Sequence, residues 1–224
     1  MNKLIKIIDQ IESLEEKYKA KKSGETDLLH YGNMYTNDLF FLGMEVMAMP
    51  VAGTYVEIGV CDGKSLSMAI MASPRYSFIY GIDPLIDPNI QLRIKDLQLG
   101  NVETDMFCSN KNHQIYLIRK TSDEALKSGW KITAEGFGIN IDVLLIDVNH
   151  TYGAILSDFN NWFPHVKTFG TVIFDDYTTI PDVKKAVLEI ENQNPLLGLR
   201  RRGGKMVAFT KLDSKPINEF LLHK

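Results

Sequence analysis

The chain has 224 residues, 45% of them hydrophobic and 24% charged, the make-up of an ordinary globular protein. Lys and Arg total 25 against 28 Asp and Glu, a net charge of -3, which speaks against a broad nucleic-acid-binding surface. Two cysteines, Cys61 and Cys108, are too few for a disulfide framework and suit a reducing compartment.

No apolar run approaches the roughly 20 residues that span a bilayer. Lys6, Asp9 and Gln10 interrupt the apolar start too early for a signal peptide, so a cytoplasmic protein is expected. Without repeats or a flexible linker, the pattern predicts one domain over 37–224 behind a helical extension over 1–36.

In chain order, 3–22 predicts an amphipathic helix. Leu4, Ile7, Ile8, Ile11 and Leu14 recur at helical spacing, and Ser23-Gly24 ends it. It suits either a lid or dimer arm, or a helix packed on the side of the domain. A polar and aromatic loop holds His30, Tyr31 and Tyr35, placed either to close over a substrate or simply to lie on the surface. A helix over 37–49 follows, stopped by Pro50.

Beyond residue 53, short apolar runs alternate with helical stretches. Strands are predicted over 54–58, 77–82, 114–118, 142–146 and 171–174. Helices are predicted over 65–72, 90–99, from about Ser122, over 154–166 and over 182–191. Such alternation implies βαβ units and a parallel sheet covered on both faces. The end differs: 197–202 and 205–211 form a strand pair joined by Gly203-Gly204, an antiparallel hairpin. The expected fold is therefore α/β, Rossmann-like and doubly wound, with a mostly parallel seven-stranded sheet and a C-terminal antiparallel hairpin. Trp130, Trp162, Met44, Met47 and Met49 are expected in cores or interfaces.

Open α/β sheets bind ligands outside the carboxyl ends of their strands. Four of the five parallel strands carry acids there: Glu57, Asp83, Asp147 and the pair Asp175-Asp176. The first turn, Glu57-Ile-Gly59-Val-Cys61-Asp-Gly63-Lys-Ser65, has the form E-x-G-x-x-x-G. Its glycines allow close backbone approach beside a helix N-terminus. It is neither the dinucleotide fingerprint nor a P-loop, and its acid suits a cationic group rather than a bare pyrophosphate. Asp83 can accept both hydroxyls of a ribose. A ribose at one end and a positive group at the other fits S-adenosylmethionine.

VEIGVCDGKS, YGIDP, LLIDVNHTY, DFNNWFPHVKTFGTVIFDDY and DVKKAV follow in that order. They resemble class I S-adenosylmethionine-dependent methyltransferases, nearest the small O-methyltransferase branch with macrocin-type sugar methyltransferases, and more distantly the catechol type. The resemblance covers roughly 37–211. It implies that Glu57, Gly59, Gly63 and Ser65 line the methionine end of the cofactor, that Asp83 holds the ribose, and that Ser122 and Asp123 approach the adenine. It further implies that Asp147 borders the cofactor and, with Asp175 and Asp176, forms a divalent-metal triad. Where the family commonly reads IDGDHSYE, this chain has Ile146-Asp-Val-Asn149-His150-Thr-Tyr-Gly153, so one carboxylate near the ion is lost. Phe169-Gly170 stands where two glycines are common.

Physical chemistry supports an ion there. Two carboxylates about 4 Å apart repel by roughly 4 kcal/mol at an effective dielectric near 20, so three in one cleft must protonate or hold a cation. Oxygen ligands favour Mg²⁺ or another hard divalent ion. Asp175 and Asp176 can share it only if the strand ends between them, because neighbouring strand residues point to opposite faces. His150, just past the fourth strand, is the expected general base, with Asp147 beside it.

The expected activity is metal-assisted O-methylation of a small hydroxylated molecule, a sugar or secondary metabolite. No nucleic-acid or membrane partner is expected, and a homo-oligomer is compatible with the sequence. Two alternatives stay open: a nicotinamide-dependent reductase on a similar sheet, and a non-catalytic binding protein of the same fold. Arg200-Arg201-Arg202 suits either an anionic acceptor or a solvated sheet edge.

Overall fold

The structure is a computed structural model. It describes residues 1–22, 34–86, 90, 94, 107–109, 113–128 and 140–213, with 15–22 and 107–109 by backbone alone. His30, Tyr31 and Trp130, and the helix expected over 90–99 apart from the helical, buried Ile90 and Ile94, lie outside the described residues.

The elements run α1 (Asn2–Lys22), α2 (Thr36–Met47), β1 (Thr54–Ile58), α3 (Lys64–Ala72), β2 (Phe78–Ile82), β3 (Phe107–Ser109), β4 (Gln114–Ile118) and α4 (Ser122–Lys127). Then come β5 (Ile141–Ile146), α5 (Tyr152–Trp162), a 3-10 turn (Phe163–His165), β6 (Val166–Phe174), α6 (Pro181–Gln193), β7 (Leu197–Gly203) and β8 (Met206–Lys211).

One sheet orders them β3-β4-β2-β1-β5-β6-β8-β7. The five expected parallel strands β4, β2, β1, β5 and β6 are neighbours, and the β7–β8 hairpin joins antiparallel through β8. To the seven expected strands the structure adds a short antiparallel one, β3, at the far edge. The chain leaves β1 first towards β2 and β4, then returns for β5 and β6. The switch therefore falls between β1 and β5, where a ligand crevice is expected.

Period-two side chains give the sheet two apolar faces. Tyr55, Ile79, Val143, Leu145 and Ile173 pack under α1, α2 and α3. Val56, Ile58, Leu144, Ile146 and Phe174 pack under α4, α5 and α6. Leu4, Ile7, Ile8 and Ile11 of α1 are buried in the first of these cores. The N-terminal helix thus packs on the side of the domain, with Leu4 against Gly43 of α2.

Two boundaries moved. The helix expected to reach residue 166 stops at Trp162, because Pro164 follows and the chain turns 3-10. Strand β6 then starts early at Val166 and carries an irregularity, with Ile141 opposite Val166 but Val143 opposite Thr171. Phe169 in that bulge has φ +66°, a left-handed conformation that favours glycine.

Of the aromatic and methionine expectations, Trp162 and Met49 are buried, whereas Met44 and Met47 are exposed on α2. Among the described residues, no helix is long and apolar enough to cross a membrane.

Candidate functional site

The loop from β1 to α3 is built from left-handed residues: Gly59 at φ +87°, Cys61 at +49° and Gly63 at +80°. At Gly59 the requirement is steric as well. A Cβ there would lie 1.8 Å from the carbonyl oxygen of Asp147, so β1 and β5 leave the sheet with their backbones in contact. Gly59 N–H donates to Ile82 O at 2.9 Å, and Asp147 N–H to Ile58 O at 2.9 Å. Three adjacent strands thereby deliver the loop, Asp83 and Asp147 to one rim.

Asp83 clamps this loop. Its Oδ2 accepts the Val60 and Cys61 N–H groups at 2.9 and 3.0 Å, and its Oδ1 accepts Leu85 N–H at 2.7 Å. Glu57 is fully buried beneath it. Its carboxyl is bonded by Tyr55 OH at 2.8 Å and by Ser65 Oγ. Burial pushes Glu57 up to about 8; the two hydrogen bonds oppose that shift, and the charges of Asp147 and Asp83 add to it. The acids of β1 and β2 are therefore close enough to feel one another, though neither is among the residues that line the cleft over this rim.

The other half of the rim comes from β5 and β6. Strand β6 ends at Phe174, before both aspartates rather than between them, and Asp176 has φ +54°. His150 Nε2 stands 3.4 Å from Asp147 Oδ1 and 3.0 Å from Asp176 Oδ2. Ligand atoms of Asp147, His150 and Asp176 all lie within 4.8 Å of one another. Asp175 is outside that triangle. Its Oδ2 meets Lys205 Nζ at 2.9 Å, while its buried Oδ1 has no hydrogen-bond partner.

Lys205 was not legible as a site residue. Its ammonium also meets Asp176 Oδ1 at 2.8 Å, and Thr179 Oγ1 donates to the same oxygen at 2.8 Å. The hairpin turn holding it is latched by α2, because Lys205 N–H donates to Asp38 Oδ1 at 2.7 Å. A separation of 167 residues explains why no local pattern announced this contact.

The charges follow from these contacts. Burial raises Asp175, Asp147 raises it further, and Lys205 works the other way. Burial also acts to raise Asp176, but Lys205, Thr179 and the charge of His150 hold it below its usual value. His150 is raised chiefly by its hydrogen bond to Asp147, against burial, with the nearby carboxylates adding to it. Lys205 is raised because Asp175 and Asp176 outweigh its burial.

A cleft of about 630 Å³ opens over this rim. Cys61 and Ser65 line it from the loop, and Asp147, His150, Asp175, Asp176 and Lys205 from the acidic side. Tyr35 and Met34 form its other lip; Met34 is fixed through its carbonyl by Lys64 Nζ at 2.6 Å. The volume suits a small-molecule or cofactor site.

Other expected residues sit elsewhere. Glu57 lies beneath the cleft lining, reaching it through Ser65. Ser122 Oγ bonds Asp158, and Asp123 Oδ1 accepts from Asn161 Nδ2 at 2.8 Å, so both are tied to α5. The arginines lie on β7, the edge strand of the sheet, with Arg202 exposed and Arg200 and Arg201 half-buried. Arg201 is paired with Glu45 at 2.6 Å, and Arg200 with Glu191 at 2.6 Å and with Tyr177. Strand alternation sends Arg201 to the α2 face and the other two to Tyr177.

The donor set fits a divalent ion. It offers carboxylate oxygens of Asp147 and Asp176, with His150 Nε2 standing 3.4 and 3.0 Å from them. Asp175, outside the cluster, keeps a buried Oδ1 with no hydrogen-bond partner.

A family model described as "Methyltransferase domain" matches residues 56–177. The protein R132 of Acanthamoeba polyphaga mimivirus is 33% identical over 145 residues, 62% of this chain and 61% of that one; the chain spans about three fifths of that relative. The fold is similar to an O-methyltransferase from Bacillus cereus in complex with S-adenosylhomocysteine, with a TM-score of 0.60, 15% identity and 91% of each chain covered. It is also similar to MycE from the mycinamycin biosynthetic pathway, solved with Mg, S-adenosylhomocysteine and mycinamycin VI. There the TM-score is 0.56 and the identity 18%, over 93% of this chain and 56% of that one.

Proposed function

Because this chain belongs to the methyltransferase-domain family, with an S-adenosylmethionine-dependent class I fold, we propose that it methylates a hydroxyl oxygen of a small molecule with help from a divalent cation. The family match favours this reading over the nicotinamide-dependent alternative. The observation that carries the reading is the Asp147–His150–Asp176 cluster on the lip of a cleft that the glycine loop also lines.

S-adenosylmethionine supplies a methyl group on a sulfonium carbon that is already electrophilic, and the cation supplies positive charge that acidifies the acceptor hydroxyl. The chain does the rest. The 59–65 loop, with Ser65 over buried Glu57, would receive the methionine end, and Asp83 beside it the ribose. Ser122 and Asp123 are proposed for the adenine side, freed from α5 or approached past it. Asp147 and Asp176 would hold the cation, with Asp175 beside them. His150 Nε2, between those carboxylates, would take the hydroxyl proton as the O–CH₃ bond forms and the S–CH₃ bond breaks. Met34, Tyr35 and Ile180 line the same cleft and would exclude water from it. A sugar or secondary metabolite is the acceptor class proposed.

Calorimetry with S-adenosylhomocysteine is expected to show one site per chain, and no binding would end the proposal. With an acceptor found by screening hydroxylated small molecules, EDTA should cut turnover at least tenfold, reversibly with Mg²⁺. His150→Ala should lower kcat by roughly 100-fold or more; full activity after EDTA, or in His150→Ala, removes the ion or the base respectively.

A further inference from the structure

The acidic side of the cleft holds three carboxylates, Asp147, Asp175 and Asp176, yet the cation already in contact with two of them belongs to the protein. Lys205 is buried, with its side chain 9% exposed, and bridges Asp175 Oδ2 at 2.9 Å and Asp176 Oδ1 at 2.8 Å. Its place is set from both sides of the residue. The N–H is fixed by Asp38, and the carbonyl accepts Thr178 N–H at 3.2 Å. The turn before it needs glycine, because Gly204 has φ +58° and a Cβ there would lie 1.9 Å from Asp38 Oδ1. The backbone is thus pinned so that the ammonium lands between the two aspartates.

We propose that Lys205 is a positioning residue that acts as the resident counter-cation of Asp175 and Asp176, competing with a divalent ion for their oxygens and confining that ion to Asp147 and to the Asp176 oxygen that Lys205 does not contact. This rests on the proposed metal-assisted reading, and it goes beyond it by assigning a residue that sets how tightly the ion is held. A positive charge a few ångströms from a divalent ion is strongly repulsive in a partly buried cleft, so its removal must favour the ion.

The test is Mn²⁺ binding followed by calorimetry on the metal-stripped chain, with thermal unfolding in EDTA alongside. Lys205→Met is expected to bind Mn²⁺ at least tenfold more tightly than wild type, and Lys205→Arg to stay within about threefold of wild type. In EDTA, Lys205→Met should melt lower, and the Asp175→Asn/Lys205→Met pair should recover much of that loss, since it removes the stranded charge with its partner. If Lys205→Met is too unstable to titrate, Lys205→Gln and the double variant carry the comparison. Equal Mn²⁺ affinity in wild type and the Met or Gln variant, or binding in none of them, overturns the proposal. Binding only in the variant upholds it while removing the ion from the wild-type reaction, so the two readings fail separately.

Discussion

At the amino ends of the parallel strands, Asp142 has its needs met. Its Oδ2 accepts Thr54 N–H at 2.8 Å and Lys167 Nζ at 2.7 Å, and it joins the starts of β1, β5 and β6. At the carboxyl ends, Asp175 is as buried but keeps an oxygen with no partner, and Glu57 is buried deeply enough to hold its proton near neutral pH. The residue types are alike. At one end the Asp142 carboxylate is spent on architecture, and at the other Asp175 is left with an under-satisfied oxygen, the state in which a group can still bind or react.

The largest effect that would break this contrast is at Asp147. Asp147→Asn should lower kcat/KM by roughly 100-fold or more while leaving the melting temperature within a few degrees, because the residue is half-buried and its role is charge. Loss of folding with retained specific activity would place Asp147 with Asp142 instead.

Next comes the pH dependence of folding. Glu57 titrates near 8 in the folded chain against 4.5 ordinarily, so the folded state binds the extra proton. Its contribution to stability is complete below about pH 4.5 and is lost as the pH rises towards 8, on the order of 3–5 kcal/mol at most. Urea unfolding between pH 5 and 8 should therefore fall off less steeply for Glu57→Gln than for wild type; identical slopes would mean that Glu57 is ionised throughout.

A smaller effect is expected at the opposite end of the sheet. Asp142→Asn should cost about 1–2 kcal/mol, from a weakened hydrogen bond and a lost ion pair, with turnover unchanged within twofold. The smallest is a gain. Phe169 is 73% exposed and held at a left-handed φ, so Phe169→Gly should stabilise by about 1 kcal/mol, read as a rise of a few degrees in Tm. A fall in Tm would show that the ring contributes through the small cavity it lines beside Met49 and Pro50.

These contrasts also mark how far the sequence could be read. Local periodicity gave away five parallel strands, the hairpin and the acids at the strand ends, because alternation and turn residues are written in neighbouring positions. The same acids could not be sorted into paired and unpaired ones, since their partners arrive from far along the chain. Thr54 meets Asp142 across 88 residues, and Lys205 meets Asp176 across 29. The Tyr55–Glu57 bond was two residues away, visible in principle from strand alternation, but only burial shows that it matters. Strand β3 has three residues, too short for any period to register.

The contact between Gly59 and the Asp147 carbonyl has its own consequence. It is a seam in which main chain meets main chain, tolerated because residue 59 has no side chain, and it holds the 59–65 turn against Asp147. On the proposed function, the surrounding lips could therefore be remodelled for new acceptors while the turn and Asp147 keep their spacing. Swapping residues 34–35 or 179–180 should redirect what is modified well before it disables the transfer.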